Sequence, residues 1–142
     1  MPELKKCLIA NRGEIAVRII RACKEVGIAT VAVYSEADAR AKHVRLADVA
    51  VPIGEASPTA SYLNIAQLIA VAQDTNCDCV HPGYGFLSES EAFARAVMDA
   101  GRVWVGPAPE TIALMGVKTE ARARMQNAGV PLVPGFQPDN AD

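Results

Sequence analysis

The sequence predicts an α/β fold, a parallel sheet with helices on both faces. Three observations predict it. Apolar runs alternate with helical stretches in a βαβα rhythm, which calls for crossover connections and parallel strands rather than a hairpin meander. Several of the helical stretches are amphipathic, each with one apolar stripe to lay against a sheet. A length of 142 residues suits one domain, long enough to bury roughly two thirds of the surface its unfolded form exposes. No disulfide or metal staple is required.

Each element follows in order. "KKCLIA" (5–10) is the first strand. The following "GEIAVRIIRACKEVG" places Ile15, Ile19, Cys23 and Val26 on one stripe, turns Glu14, Arg18, Arg21 and Glu25 away from it, and closes on Gly27. "TVAVY" (30–34) is the second strand, a polar loop and a short helix near 40–46 come next, and "VAVPI" (49–53) is the third strand. Asn64 caps a helix whose Ile65, Leu68, Ile69 and Ala72 face inward, and "CDCVH" (77–81) is the fourth strand. Ser88 and Glu91 form a capping box for a helix carrying Phe93, Val97 and Ala100, ended by Gly101. "RVWVG" (102–106) is the fifth strand, and "PAPETIALMG" holds a short helix with proline near its start. A last helix covers 118–128, after which "VPLV" begins like a strand and the chain dissolves into Pro, Asn and Asp. Since the five-strand unit is complete by then, the expected division is a domain at 1–116 and the opening of a second at 117–142. The expectation is a fragment.

The formal net charge of -2, with signs mixed along the chain, leaves no basic stripe for nucleic-acid phosphates. The N-terminus lacks the apolar core of a signal peptide and the character of a transit peptide, and no apolar run reaches the length of a membrane span. The expected location is the cytoplasm, with neither nucleic acid nor membrane as partner. Cys7 and Cys23 fall at predicted core positions, where a reduced thiol acts as a small hydrophobe. Cys77, Cys79 and His81 are metal-ligand types that would share one strand face, but the outer pair would stand roughly 13 Å apart at about 3.3 Å per residue. That is too far for one zinc ion, so no metal site is expected.

A five-stranded unit of this kind invites a Rossmann-like reading, with the ligand beyond the carboxyl ends of the strands where strand order reverses. In the favoured order 3-2-1-4-5, the loops "NRGE" (11–14) and "HPGYGFLSE" (81–89) flank that crevice. The first holds the single glycine Gly13 followed by Glu14, whose carboxylate repels a pyrophosphate, so nicotinamide or flavin binding is disfavoured. Glu36 stands near the place of a ribose-binding acid but reads better as an exposed loop carboxylate. In the second loop Gly83 and Gly85 offer backbone amides to an anion, yet the loop has no Lys or Arg, and Glu89 and Glu91 already answer the helix dipole. The preferred reading is a tight turn that presents Tyr84 and Phe86 at the crevice, with simple packing of both rings as the alternative.

"LIANRGEIAVRIIRACKEVGI", "TVAVYSEAD", "KHVRLAD", "SYLNI", "HPGYGFLSE", "VGPAPETIALMG" and "AGVPLVPG" occur in this order. Together they resemble the N-terminal region of the biotin carboxylase family, the module of acetyl-CoA, propionyl-CoA and pyruvate carboxylases. The resemblance implies a Rossmann-like lead-in to an ATP-grasp domain. It implies an enzyme that uses ATP and magnesium to activate bicarbonate and then carboxylates biotin on a carrier protein, beside a carboxyltransferase. It places no catalytic residue within this stretch, and the stretch alone is expected to be inactive and to hold none of these groups tightly. Lys118 matches the family's first ATP-phosphate lysine. The resemblance implies that Tyr84, with the adjacent Gly83, borders the biotin pocket and that Arg21 and Glu25 face the partner subunit of a homodimer; by themselves Arg21 and Glu25 read as a solvated i, i+4 pair. One departure stands out, because Val117 occupies the place of a family aspartate and cannot cap the helix after it. Two alternatives remain: a non-catalytic dimerisation or interaction module, and the lead-in domain of another ATP-grasp ligase.

Overall fold

The structure, a computed structural model, describes residues 3–133 apart from the side chain of Lys118. Five strands, β1 (Lys6–Ile9), β2 (Ala29–Tyr34), β3 (Val49–Pro52), β4 (Cys79–His81) and β5 (Val103–Trp104), pair in parallel in the order β3-β2-β1-β4-β5. That is the predicted order. Helices α1 (Gly13–Glu25), α2 (Lys42–Leu46), α3 (Ile65–Asp74), α4 (Glu91–Asp99), α5 (Pro109–Gly116) and α6 (Lys118–Asn127) complete the chain. Alternation along β1 sorts the core into two layers: Cys7 and Ile9 pack with Ile15, Ile19, Ile20 and Cys23, while Leu8 and Ala10 join Tyr62, Leu68, Phe93 and Val97. Both faces are covered, so the strands are largely apolar, with Lys6, Thr30 and His81 as the polar exceptions. Each fully buried Leu or Ile contributes roughly 1.5–3 kcal/mol, and all four cysteines are buried and free.

Several sequence expectations shift by a residue or two, each for a local reason. Helix α1 closes in a Schellman turn, with Ile28 N–H donating to Cys23 O at 2.8 Å and Gly27, at φ +76°, donating to Lys24 O at 3.3 Å. Val26 is therefore not part of the buried stripe; it leaves the helix as the C-cap and is 70% exposed, while Ile28 takes the contact with the core. The capping box expected at Ser88 and Glu91 is also displaced. Residues Phe86–Glu89 form a 3-10 turn, so α4 starts later and Ser90 Oγ accepts from Phe93 N–H at 3.2 Å. Ala94, not Ala100, becomes its third fully buried position. Asn64 caps α3 as expected, accepting from Gln67 N–H at 3.1 Å.

Strand β4 begins at Cys79 rather than 77, because the Asp78 side chain stands in for a ladder partner. Its Oδ2 accepts from Lys5 N–H and Lys6 N–H, both at 2.8 Å, and these two bonds hold its carboxyl below the usual carboxylate range. Cys77 thus precedes the strand and joins the Leu8 layer while Cys79 joins the Ile9 layer. The shared face supposed for Cys77, Cys79 and His81 does not exist. Among the described residues no helix is long and apolar enough to cross a membrane. Residues 130–133 form no strand, and 134–142 lie outside the described part.

Candidate functional site

Strands β1 and β4 are neighbours, and Ala10 N–H still donates to His81 O at 3.0 Å just past their ends. Beyond this point the two chains part, one into α1 and the other into the corner "HPGYGF". An open crevice of about 340 Å³ remains, lined by Asn11, Arg12, Ile15, Tyr84, Gly85 and Phe86. This is the crevice expected from strand order.

The corner is made by left-handed backbone at Gly83 (φ +69°), Gly85 (φ +65°) and Phe86 (φ +47°). For a phenylalanine this conformation costs about 1–2 kcal/mol, offset by stacking of its ring on Tyr62 at 5.3 Å and 15°. Tyr84 stands out at the crevice, 59% exposed, with its hydroxyl donating to Glu14 Oε2 at 3.1 Å; that bond to a carboxylate pushes the phenol up from its ordinary pKa. Gly83 is turned inward, since its N–H donates to His81 Nδ1 at 3.0 Å and an added Cβ would lie 2.8 Å from Asn11 Nδ2. It shapes the turn, and Gly85 lines the crevice. The amide that an anion would need at Gly83 already has an acceptor, and burial holds the His81 imidazolium disfavoured.

A polar network backs the crevice, buried at Ser35 and Tyr62, half-buried at Asp38 and exposed at Arg12, and no signal in the sequence marks its members. Asp38 Oδ2 accepts from Arg12 at 2.9 Å, from Tyr62 Oη at 2.7 Å and from Ser35 Oγ at 3.3 Å. Burial raises the Asp38 carboxyl, but the bonds from Tyr62, Arg12 and Ser35 together with the Arg12 charge bring it below the usual range. Burial, with the bond to Asp38, pushes the Tyr62 phenol up to about 12. Tyr62 Oη also accepts from Ser35 N–H at 3.0 Å, and Arg12 lies 5.8 Å over the Tyr62 ring. Arg12 therefore brings to the crevice a cation already matched by Asp38. The strings "NRGE", "SEAD" and "SYLN" contained these residues, but nothing in their spacing showed that they meet.

Arg21 and Glu25 lie elsewhere, exposed along the outer side of α1, on an open groove of about 820 Å³ that also touches Arg18 and Lys42. They are not joined among the ion pairs of the described residues, so the i, i+4 pair expected from their spacing does not form. Glu36 is exposed in a 3-10 turn after β2. Val117 is the N-cap residue of α6 and supplies no side-chain acceptor, while the side chain of Lys118 lies outside the described part.

A five-stranded parallel sheet covered on both faces, with a crevice at its order reversal walled by an aromatic corner, defines a Rossmann-like α/β domain. The sequence matches the family described as "Biotin carboxylase, N-terminal domain" over residues 3–112, and the chain belongs to that family. It is 58% identical over 132 residues to a biotin carboxylase of Allochromatium vinosum, covering 93% of this chain and 29% of that one. It is 54% identical over 133 residues to the mitochondrial pyruvate carboxylase of Homo sapiens, covering 93% of this chain and 11% of that one. Among solved structures, it superposes on the biotin carboxylase domain dimer of Hydrogenobacter thermophilus 2-oxoglutarate carboxylase in complex with MgADP, ADP and bicarbonate. That match has a TM-score of 0.89 at 48% identity and covers 96% of this chain and 30% of that one. The chain thus spans less than a third of the length of these relatives.

Proposed function

We propose that this chain forms the N-terminal part of a biotin carboxylase, a ligase that uses ATP, magnesium and bicarbonate to carboxylate biotin on a carrier protein. On this reading the enzyme is a cytoplasmic homodimer that works beside a carboxyltransferase. The chain's own contribution is a wall of the biotin pocket, with Tyr84 as the contact surface and Gly83 as the bend that aims it. The observation that carries this is a large ring, more than half exposed, on a corner fixed from behind. An exposed aromatic on rigid backbone gives contact area at little cost in conformational entropy. Relatives named for biotin and a neighbour solved with MgADP and bicarbonate support the same reading.

The α1 groove with Arg21 and Glu25 is assigned to the subunit interface. A domain boundary falls at Val117, supported by the absence of any buried side chain among the described residues of α6. Lys118 then opens the ATP-grasp domain, and its ammonium serves the nucleotide phosphates. Substitution at Tyr84 in the full-length enzyme tests the pocket. Tyr84→Phe keeps the ring and should leave the KM for biotin within about twofold, whereas Tyr84→Ala should raise it about tenfold, the loss of roughly 1.4 kcal/mol of contact, with the KM for ATP unchanged. A shift confined to ATP in the alanine variant would make the corner a phosphate site and end this reading.

A further inference from the structure

The conformation of the 82–86 corner is held by one side chain from the other loop, that of Asn11. Its Nδ2 donates to Pro82 O at 2.7 Å and to Tyr84 O at 2.9 Å, and its Oδ1 accepts from Arg12 N–H at 2.8 Å. Asn11 is 2% exposed. The register explains the role: the β1–β4 ladder runs out at Ala10 and His81, and one residue later the Asn11 amide supplies the donors that the diverging backbone no longer can. The corner needs such a tie, because left-handed backbone at Gly83, Gly85 and Phe86 relaxes unless its surroundings over-determine it. Gly83 fits the same account, since a side chain there would drive into the Asn11 amide and into Ile15 Cγ1, 3.0 Å away.

We infer that Asn11 is a positioning residue for biotin recognition, which acts by fixing the Tyr84 corner through two backbone carbonyls. It touches no ligand itself. This rests on the assignment of Tyr84 to the biotin pocket. Asn11→Ala removes both donors, and Asn11→Asp points a carboxylate at the two carbonyl oxygens they served, so the aspartate is the harsher change even though it is nearly isosteric.

The test is steady-state kinetics with free biotin and with ATP, on the full-length enzyme carrying Asn11→Ala, Tyr84→Ala or both, with thermal melting as a check on folding. Asn11→Ala should raise the KM for biotin about tenfold, the range of one to two lost hydrogen bonds, and leave the KM for ATP unchanged. In the Tyr84→Ala background the same substitution should change the KM for biotin less than twofold, because its route to the ligand is gone; a merely structural role would give the full loss again. If Asn11→Ala does not fold, Gly83→Ala disturbs the tie from the other side and should show the same dependence on Tyr84. A large biotin effect of Tyr84→Ala with none from Asn11→Ala or Gly83→Ala would overturn the positioning role alone. No biotin effect of Tyr84→Ala would overturn the pocket assignment first, and this inference with it.

Discussion

Tyr62→Phe isolates the network behind the crevice, because it keeps the ring that stacks on Phe86 and removes only the hydroxyl. That hydroxyl donates to Asp38 and accepts from Ser35 N–H. Ser35 is fully buried, so leaving its N–H without an acceptor costs about 1–3 kcal/mol, and losing a hydrogen bond to an ionised carboxylate costs about 1.5–3 kcal/mol. The two share one atom and do not simply add, which sets the expected destabilisation near neutral pH at about 2–4 kcal/mol. The phenol adds a pH signature. Its pKa lies at about 12 in the fold and about 10 in the unfolded chain. Between those values the folded form binds more protons than the unfolded one. Wild-type stability therefore falls as pH rises through this window, by about 2–3 kcal/mol from this group, and the phenylalanine variant lacks that fall. Urea unfolding of both proteins from pH 8 to pH 12 reads the effect as a gap that narrows. A gap below about 1 kcal/mol at pH 8, or one that stays constant into alkali, would refute the reasoning.

Two further predictions concern other elements. Gly54 has φ +118°, and an added Cβ would lie 2.6 Å from the Ala60 carbonyl oxygen. Gly54→Ala should therefore destabilise the domain by about 3 kcal/mol or more, and a thermal midpoint within a degree of wild type would contradict it. Lys118→Ala in the full-length enzyme should weaken ATP handling about 10-fold to over 100-fold, as expected for a lost charged hydrogen bond, and spare biotin. Unchanged kinetics in ATP would mean that Val117, in place of a capping residue, has set the lysine away from the phosphates.

The sequence by itself determined the parallel sheet, its strand order and the crevice between the two loops. These follow from signals local to the chain: the βαβα alternation, the stripe of Ile15, Ile19 and Cys23, and helix stops such as Gly27 and Gly101, which require no knowledge of distant partners. Family motifs likewise pointed to Tyr84. Only the tertiary structure decided which side chains meet. Asn11 reaches Pro82 and Tyr84 across more than seventy positions, and Asp38 gathers Arg12, Ser35 and Tyr62 from three separate segments. It likewise turned Val26 outward and Gly83 inward, and it put Cys77 and Cys79 on opposite faces. Periodicity constrains the face on which a residue lies within its own element. Hydrogen bonds between elements depend on how those elements are brought together, and the hydrophobic pattern that assembles them leaves the polar partners at their ends unspecified.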